Sequence, residues 1–175
     1  MLNTRQALEK FGKGTVKQSR SNLTRKDKNV SRELYDSIKY DLEVGPNSFS
    51  ITVNMADYGK FQDEGVKGAD PSLVKNGVQK APSSPYSYKS KFPPVKPIRD
   101  WVNARGLKLR NEKGQFAKGG AKTLAYLISR SIYAQGIKPS RFFSRAFETQ
   151  FKNLPDEIVE AFNLDLDDLL EFSKE

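Results

Sequence analysis

Apolar residues at helical spacing indicate a helix at the start of the chain. They recur among basic residues over about 4–20, so we expect a helix there, although two glycines each weaken it by roughly 1 kcal/mol relative to alanine. A shorter helix should follow a polar connector, with Asn29 or Ser31 as its cap and Leu34, Tyr35 and Ile38 on its inner face. Alternatively, the two segments form one long, interrupted helix.

Strict alternation of apolar and polar residues then predicts a β-hairpin with one buried face. Its two strands are separated by Gly45–Ser48, which has the composition of a tight turn. A short helical turn that ends at Gly65 should follow directly. The alternating apolar residues are Tyr40, Leu42, Val44, Phe49, Ile51 and Val53.

Residues 66–95 show no sustained periodicity and contain five prolines, so we expect an extended excursion there. A loop of this length inside a compact domain is usually functional. Its aromatic residues Tyr86, Tyr88 and Phe92 favour docking onto another surface.

The second half of the chain is predicted to be helical. A compact helix should span Pro97–Gly106, with Trp101 on its apolar side. Over Thr123–Phe151, two apolar helices are separated by Gly136 and by a proline that should open the second helix. Because a short connection usually places two helices side by side, we expect this helical hairpin to form the core.

The net charge of +9 is unevenly distributed along the chain. Most lysines and arginines precede residue 123, whereas the segment after Leu154 is strongly acidic. This asymmetry indicates either head-to-tail contact between copies or a tail folded over its own basic face. The acidic residues are Asp156, Glu157, Glu160, Asp165, Asp167, Asp168, Glu171 and Glu175.

The chain contains no cysteine and no histidine. This excludes disulfides, thiolate ligands and the commonest general base, and no serine–lysine or paired-carboxylate signature replaces them. Of the acidic groups at 63–64 and 165–168, the second faintly resembles a calcium loop, but it lacks the required glycine and terminal glutamate. We therefore expect a non-enzymatic protein without catalytic residues, metal or cofactor. Without a signal-peptide pattern or a membrane-spanning run, we expect it to be made in a cytoplasm.

A basic cluster around Phe116 favours contact with phosphates or with an acidic partner. No recognition-helix or zinc-finger motif accompanies it, so the predicted alternative function is nucleic-acid binding without sequence specificity. The candidate contact residues are Arg105, Lys108, Arg110, Lys113, Lys118 and Lys122.

These patterns together predict an α+β fold with an N-terminal helix, a small antiparallel sheet covered by helices, a long projecting loop and C-terminal helices. We expect 1–153 to form one domain, with 66–95 as the excursion, and 154–175 to form an acidic helical tail.

Two short motifs and the order of elements carry a family resemblance. The turn after the hairpin comprises Tyr58, Phe61, Gln62, Glu64 and Gly65. The segment after the long loop comprises Pro139, Phe142, Phe143, Ala146 and Phe147. This arrangement resembles the tail-completion and head–tail connector proteins of tailed bacteriophages, the lambda Z-like neck group. Residues 66–135 are a larger insertion than that family usually has.

The resemblance implies a virion protein, assembled in the host cytoplasm, that forms a six- or twelve-fold ring between portal and tail. Its partners would be further copies, portal or adaptor proteins, tail proteins and DNA in the lumen, but no membrane. The two motifs would be structural, and the excursion Pro71–Pro94 would contact neighbouring subunits through its three aromatic residues. A weaker third interpretation is a toxin-like or regulatory phage protein.

Overall fold

The protein has the predicted α+β fold. Its described residues form two small antiparallel sheets, and helices are the more abundant elements. The computed structural model describes residues 2–26, 31–45, 48–111, 113–116 and 119–172. The helices are α1 (Leu2–Arg25), α2 (Glu33–Ser37), α3 (Gly59–Glu64), α4 (Val95–Ala104), α5 (Ala121–Gln135), α6 (Ser144–Phe151) and α7 (Leu154–Phe172). The strands are β1 (Lys39–Val44), β2 (Phe49–Asn54), β3 (Val66–Lys67) and β4 (Gly136–Ile137).

The chain divides into two compact units. The first combines Met1–Asp57 with Arg141–Glu175, and the second is Tyr58–Ser140. The acidic C-terminal helix thus belongs to the same unit as the N-terminal helix, whereas the sequence suggested a division at residue 153.

The first unit is organised around α1, which packs against the β1–β2 hairpin, α6 and α7. Two groups of apolar residues form its core along this helix. One contains Leu23, Leu34, Ile38 and Phe142, and the other contains Leu8, Phe11 and Leu154.

The predicted hairpin is confirmed, with Leu42 opposite Ile51 and Tyr40 opposite Val53. The hairpin approaches α1 closely at Gly12, where the methyl group of an alanine would lie 2.6 Å from the Tyr40 ring. This glycine therefore serves close packing, although it weakens the isolated helix. Part of the predicted turn, at residues 46 and 47, lies outside the described residues.

The second predicted helix is shorter than expected and lacks the expected cap. Arg32 precedes α2 in the left-handed conformation, with φ of 57°, and no side chain caps the helix. Ser31 therefore does not act as the cap, and Asn29 lies outside the described residues. The inner residues Leu34 and Ile38 are buried as predicted, whereas Tyr35 is only half-buried against them.

In the second unit, α4 packs against α5. Strands β3 and β4, of two residues each, pair in an antiparallel sheet. Val102 of α4 is fully buried, whereas Trp101 remains 40% exposed. The predicted turn α3 ends at Gly65, whose φ of 76° suits a residue without a side chain.

The prediction of one helical hairpin over Thr123–Phe151 is wrong, because α5 packs in the second unit and α6 in the first. Gly136 does end α5, but the chain then forms β4 instead of turning directly into a helix. Pro139 does not open α6, which begins at Ser144 after Arg141 adopts a φ of 48°.

Candidate interaction surfaces

The turn motif of the sequence is held within the second unit by the segment that follows β4. The Gln62 carbonyl accepts hydrogen bonds from the Ser140 N–H at 3.0 Å and from the Ser140 hydroxyl at 2.6 Å. A side chain at Gly65 would lie 2.5 Å from the Ile137 carbonyl oxygen and 2.8 Å from the Pro139 nitrogen. The turn of Gln62 and Gly65 therefore lies against Pro139 and Ser140, which are more than 70 positions away in the sequence.

The aromatic residues of the second motif lie in the core of the first unit. Phe142 is fully buried, and its carbonyl accepts a 2.9 Å hydrogen bond from the Asn22 side chain. Phe147 contacts Phe11 edge-to-face, with 5.5 Å between ring centroids, and Phe143 at 5.9 Å. These contacts give the aromatic residues a packing role within their unit.

An open cleft of about 660 Å³ lies in the second unit, and we call it the aromatic cleft. It is formed by α3, β3, β4 and the excursion, so the turn motif and the excursion share one surface. Its lining residues are Tyr58, Phe61, Gln62, Val66, Pro85, Tyr86, Ser87, Tyr88, Lys89, Pro94 and Ile137.

The walls of the aromatic cleft are fixed by backbone and ring contacts. Phe61 meets Tyr86 edge-to-face at 4.7 Å. Lys67 of β3 donates its N–H to the Tyr86 carbonyl at 2.8 Å, and its carbonyl accepts from the Tyr88 N–H at 2.9 Å. The excursion thus extends the small sheet, and this places two of its tyrosines along the cleft.

The aromatic cleft carries few polar groups, and each has a distinct environment. Among the described residues, no acceptor binds the buried Gln62 amide nitrogen Nε2. Burial raises the pKa of the Tyr88 hydroxyl above its usual range, and this disfavours its ionised form further. Lys89 lines the cleft, and the Lys60 ammonium lies 5.3 Å from the Phe61 ring centre. The surface is therefore apolar with a basic margin.

The excursion is docked onto α5 of its own unit. Phe92 stacks on Tyr133 with 4.0 Å between ring centroids, and the Tyr133 hydroxyl donates to the Lys89 carbonyl at 2.6 Å. The buried Ser129 hydroxyl donates to the Pro93 carbonyl at 2.7 Å. Contact of the excursion with a neighbouring subunit stays a prediction, for which the half-exposed Phe92 remains accessible.

The basic cluster is only partly gathered by the fold. Arg110 and Phe116 face each other across a small turn, with the guanidinium 4.6 Å and the Lys108 ammonium 5.5 Å from the ring centre. Phe116 is 65% exposed, so this arrangement lies at the surface. Arg105, at the C-terminal end of α4, is half-buried. Lys113 and Lys122 are exposed, and Lys118 lies outside the described residues.

Helix α7 carries a second apolar face in addition to the one that packs on α1. Its inner face includes the buried Leu154 and Ala161. Val159, Phe162 and Leu166 are 61%, 48% and 44% exposed, and we call these three residues the outer stripe. Their i, i+3, i+7 spacing places them on one side of the helix.

Acidic side chains flank the outer stripe and also tie α7 to α1. Asp156 and Glu160 are both exposed; the first precedes Val159 by about one helical turn, and the second follows it directly. Glu157 accepts a 2.8 Å hydrogen bond from the Lys10 ammonium on α1. Of the two sequence-based alternatives for the tail, the structure therefore contains the tail folded over its own basic helix.

Two further predictions concern metals and membranes. Among the described residues, no three acidic side chains are grouped closely enough to hold a metal ion. None of the helices in the described ranges is long and apolar enough to cross a membrane.

Comparison with known proteins identified no relative of this chain. No protein-family model, curated protein or solved structure gave a significant match to this chain. The resemblance to phage neck proteins therefore rests on the two motifs and the order of elements.

Proposed function

We propose that the chain is a structural subunit of a tailed-bacteriophage virion, a neck or tail-completion protein that forms a ring between portal and tail. The observation that carries this proposal is the presence of two different exposed apolar surfaces with opposite flanking charge. The aromatic cleft has a basic margin, and the outer stripe of α7 has an acidic one. Contacts between two different surfaces of identical subunits are heterologous, and they form rings when the rotation closes.

The role of the motif residues supports the same proposal. Gln62, Gly65 and Pro139 fix the connection between α3 and β4, and Phe142 and Phe147 fill the core around α1. The motifs thus maintain a scaffold, as expected for an assembly subunit. A chain without histidine or cysteine also lacks the commonest general base and the cysteine nucleophile.

Quantitative mass spectrometry of gradient-purified particles tests this function. Isotope-labelled reference peptides should give about six or twelve copies per portal ring, and chemical crosslinks should join the chain to portal or tail proteins. A chain that is abundant in the lysate but absent from purified particles would overturn the proposal. A host cytosolic protein of similar abundance serves as the control for contamination.

A second candidate function, nucleic-acid binding without sequence specificity, is favoured by one observation. Lys108 and Arg110 are both held against the exposed Phe116 ring, which combines cations with a surface for base stacking. Binding of a fluorescent duplex should then weaken steeply as salt increases, because each phosphate contact releases counterions.

The matched variants for this candidate are Lys108→Gln with Arg110→Gln, against a control of Lys75→Gln with Lys96→Gln. The first pair should lower the slope of log affinity against log salt by about 2, since each contact contributes roughly 0.9. The control pair removes the same charge from exposed positions outside the Phe116 turn. Equal slopes for the two pairs, or no binding at low salt, would exclude this function.

A further inference from the structure

The outer stripe of α7 has no covering element among the described residues of its own unit. Its three side chains repeat at the spacing with which an amphipathic helix fills an apolar groove. From Val159 to Leu166 the stripe runs about 10 Å along the helix axis, at 1.5 Å per residue. A face of this kind usually marks an interaction site.

The aromatic cleft offers the complementary surface. Its volume of about 660 Å³ lies in the range of clefts that enclose several apolar side chains. Tyrosine, phenylalanine and proline dominate its lining, and these residues provide large rigid contact areas. The buried Gln62 amide adds a donor for which the described residues supply no acceptor.

Charge distinguishes the outer stripe from other apolar segments that could bind in the aromatic cleft. Lys89 lines the cleft and the Lys60 ammonium lies 5.3 Å from the ring centre of its Phe61, whereas Asp156 and Glu160 accompany the outer stripe. The sequence from Leu154 to Leu166 contains no lysine or arginine. The two surfaces thus combine apolar contact with opposite charges, which favours this pairing over contact between two basic surfaces.

We propose that the outer stripe of α7 in one copy docks into the aromatic cleft of a second copy. The occupant is the helix containing Val159, Phe162 and Leu166, and its acidic residues face the lysines at the margin of the cleft. This inference rests on the proposed ring-forming function and names the contact that joins neighbouring subunits. The contact is heterologous, so each copy uses both surfaces.

Disulfide trapping between full-length chains tests the pairing, because the chain has no cysteine of its own. One chain carries Val159→Cys on the outer stripe, and an isotope-labelled chain carries Ser87→Cys on the lining of the aromatic cleft. Both positions are exposed, so neither substitution removes core packing. The control partner carries Val78→Cys, which is 70% exposed in the same unit but does not line the cleft.

Equal mixtures are equilibrated in a glutathione buffer, and mixed-isotope disulfides are quantified by mass spectrometry. The 159–87 disulfide should exceed the 159–78 disulfide about tenfold or more, because docking raises the local concentration of one pair only. Trapping accumulates weak contacts, so a stable ring in solution is not required. Equal yields from the two pairs overturn the pairing.

Charge reversal tests the orientation of the docked helix, and it is measured through the same 159–87 disulfide. Lys89→Glu in the cleft chain or Glu160→Lys in the stripe chain should each reduce the 159–87 yield, and the two together should restore it. Unchanged yields in the single variants would contradict the assigned orientation. Circular dichroism melting of each variant confirms that it is folded before trapping.

Particle incorporation is measured separately, so the two proposals fail in different ways. Equal trapping yields would remove the α7–cleft contact even if purified particles contain the chain. Absence from particles would remove the neck function while a specific 159–87 disulfide would still establish the contact.

Discussion

The Asp165 carboxylate on α7 binds Thr4 on α1 through two hydrogen bonds to one oxygen. The Thr4 N–H donates to Oδ2 at 2.9 Å, and the Thr4 hydroxyl donates to it at 2.7 Å. The Asn3 N–H donates to the other oxygen at 3.0 Å. A residue 161 positions away therefore performs the task of an N-cap, because it satisfies N–H groups that lack partners within the helix.

Replacement Asp165→Asn should lower the free energy of unfolding by about 1–2 kcal/mol, the usual cost of losing a cap. The amide would turn a donor toward groups that are themselves donors, and it would remove the charge that favours a helix N-terminus. Urea denaturation at pH 7 measures the change. Glu160→Gln, exposed on the same helix beyond its first turn, should change stability little, and an equal loss in both variants would contradict the capping role.

The same contact predicts a pH dependence. Burial raises the pKa of Asp165, but hydrogen bonds from Thr4 and Asn3 outweigh burial and hold the pKa well below its usual range. The folded state thus binds the proton more weakly than the unfolded state, whose aspartate pKa is about 3.9. Stabilisation is complete above that value and declines as pH falls toward the lower folded pKa. Below about pH 4, wild type should therefore lose more stability than Asp165→Asn; parallel curves would exclude this linkage.

Gly12→Ala should destabilise the first unit, although alanine favours an isolated helix by about 1 kcal/mol. The added methyl would lie 2.6 Å from a Tyr40 ring carbon and 2.9 Å from an Ile51 methyl, so these packed side chains must shift. We expect a net loss of about 1–3 kcal/mol, typical of overpacking. Thermal melting measures the change.

Gly14→Ala is the matched control on the same helix. Its methyl would meet mainly the end of the Gln150 side chain, which can rotate away when it gives up its 2.7 Å hydrogen bond to Gln18. Because the gain in helix propensity and the loss of that hydrogen bond are each about 1 kcal/mol, we expect a stability close to that of wild type. If both alanines shift the melting temperature in the same direction and by similar amounts, packing against the hairpin is not the reason for Gly12.

The β1–β2 hairpin and the glycine that ends α3 were predictable because their signals are local. Alternating residues on either side of a turn determine which face of a hairpin is buried, and Gly65 follows directly after the helical residues. The α+β class follows from the same local signals.

The partners of the helices were not predictable from local signals. The apolar faces of α5 and α6 indicate burial, but periodicity does not specify which element covers each face. Gly136 and Ile137 pair with Val66 and Lys67, and this pairing commits α5 to the second unit. The aromatic cleft was missed for a related reason, since four segments without a common period supply its lining.

Gly65→Ala should unfold the second unit locally. The residue has φ of 76°, and a methyl group would lie 2.5 Å from the Ile137 carbonyl oxygen, a backbone atom that cannot rotate away. Gly106→Ala is the control, because its φ is also positive, at 61°, but the space around it is open. The control substitution should lower the free energy of unfolding by only about 1–2 kcal/mol, the cost of holding an alanine in the left-handed conformation. Hydrogen exchange of the Ser140 amide, which is bound to Gln62, should accelerate far more in Gly65→Ala, and equal acceleration would refute the steric argument.

Ser129→Ala should release the excursion from α5. The serine hydroxyl is buried and donates to the Pro93 carbonyl at 2.7 Å, so alanine leaves a buried acceptor without its partner. A loss of this kind costs about 1–3 kcal/mol. Because that loss falls on the docked state of the excursion, the Tyr88 amide, bound to the Lys67 carbonyl, should exchange its hydrogen faster.

Ser131→Ala provides the comparison, since Ser131 is half-buried on the same helix and lies away from the Pro93 contact. Both substitutions replace serine by the better helix former, so any gain in helix propensity is shared. Selective acceleration at Tyr88 in Ser129→Ala would therefore assign the docking of the excursion to one hydrogen bond. Equal exchange in the two variants would instead assign it to contacts that neither substitution removes, the Phe92–Tyr133 stack and the Tyr133–Lys89 hydrogen bond.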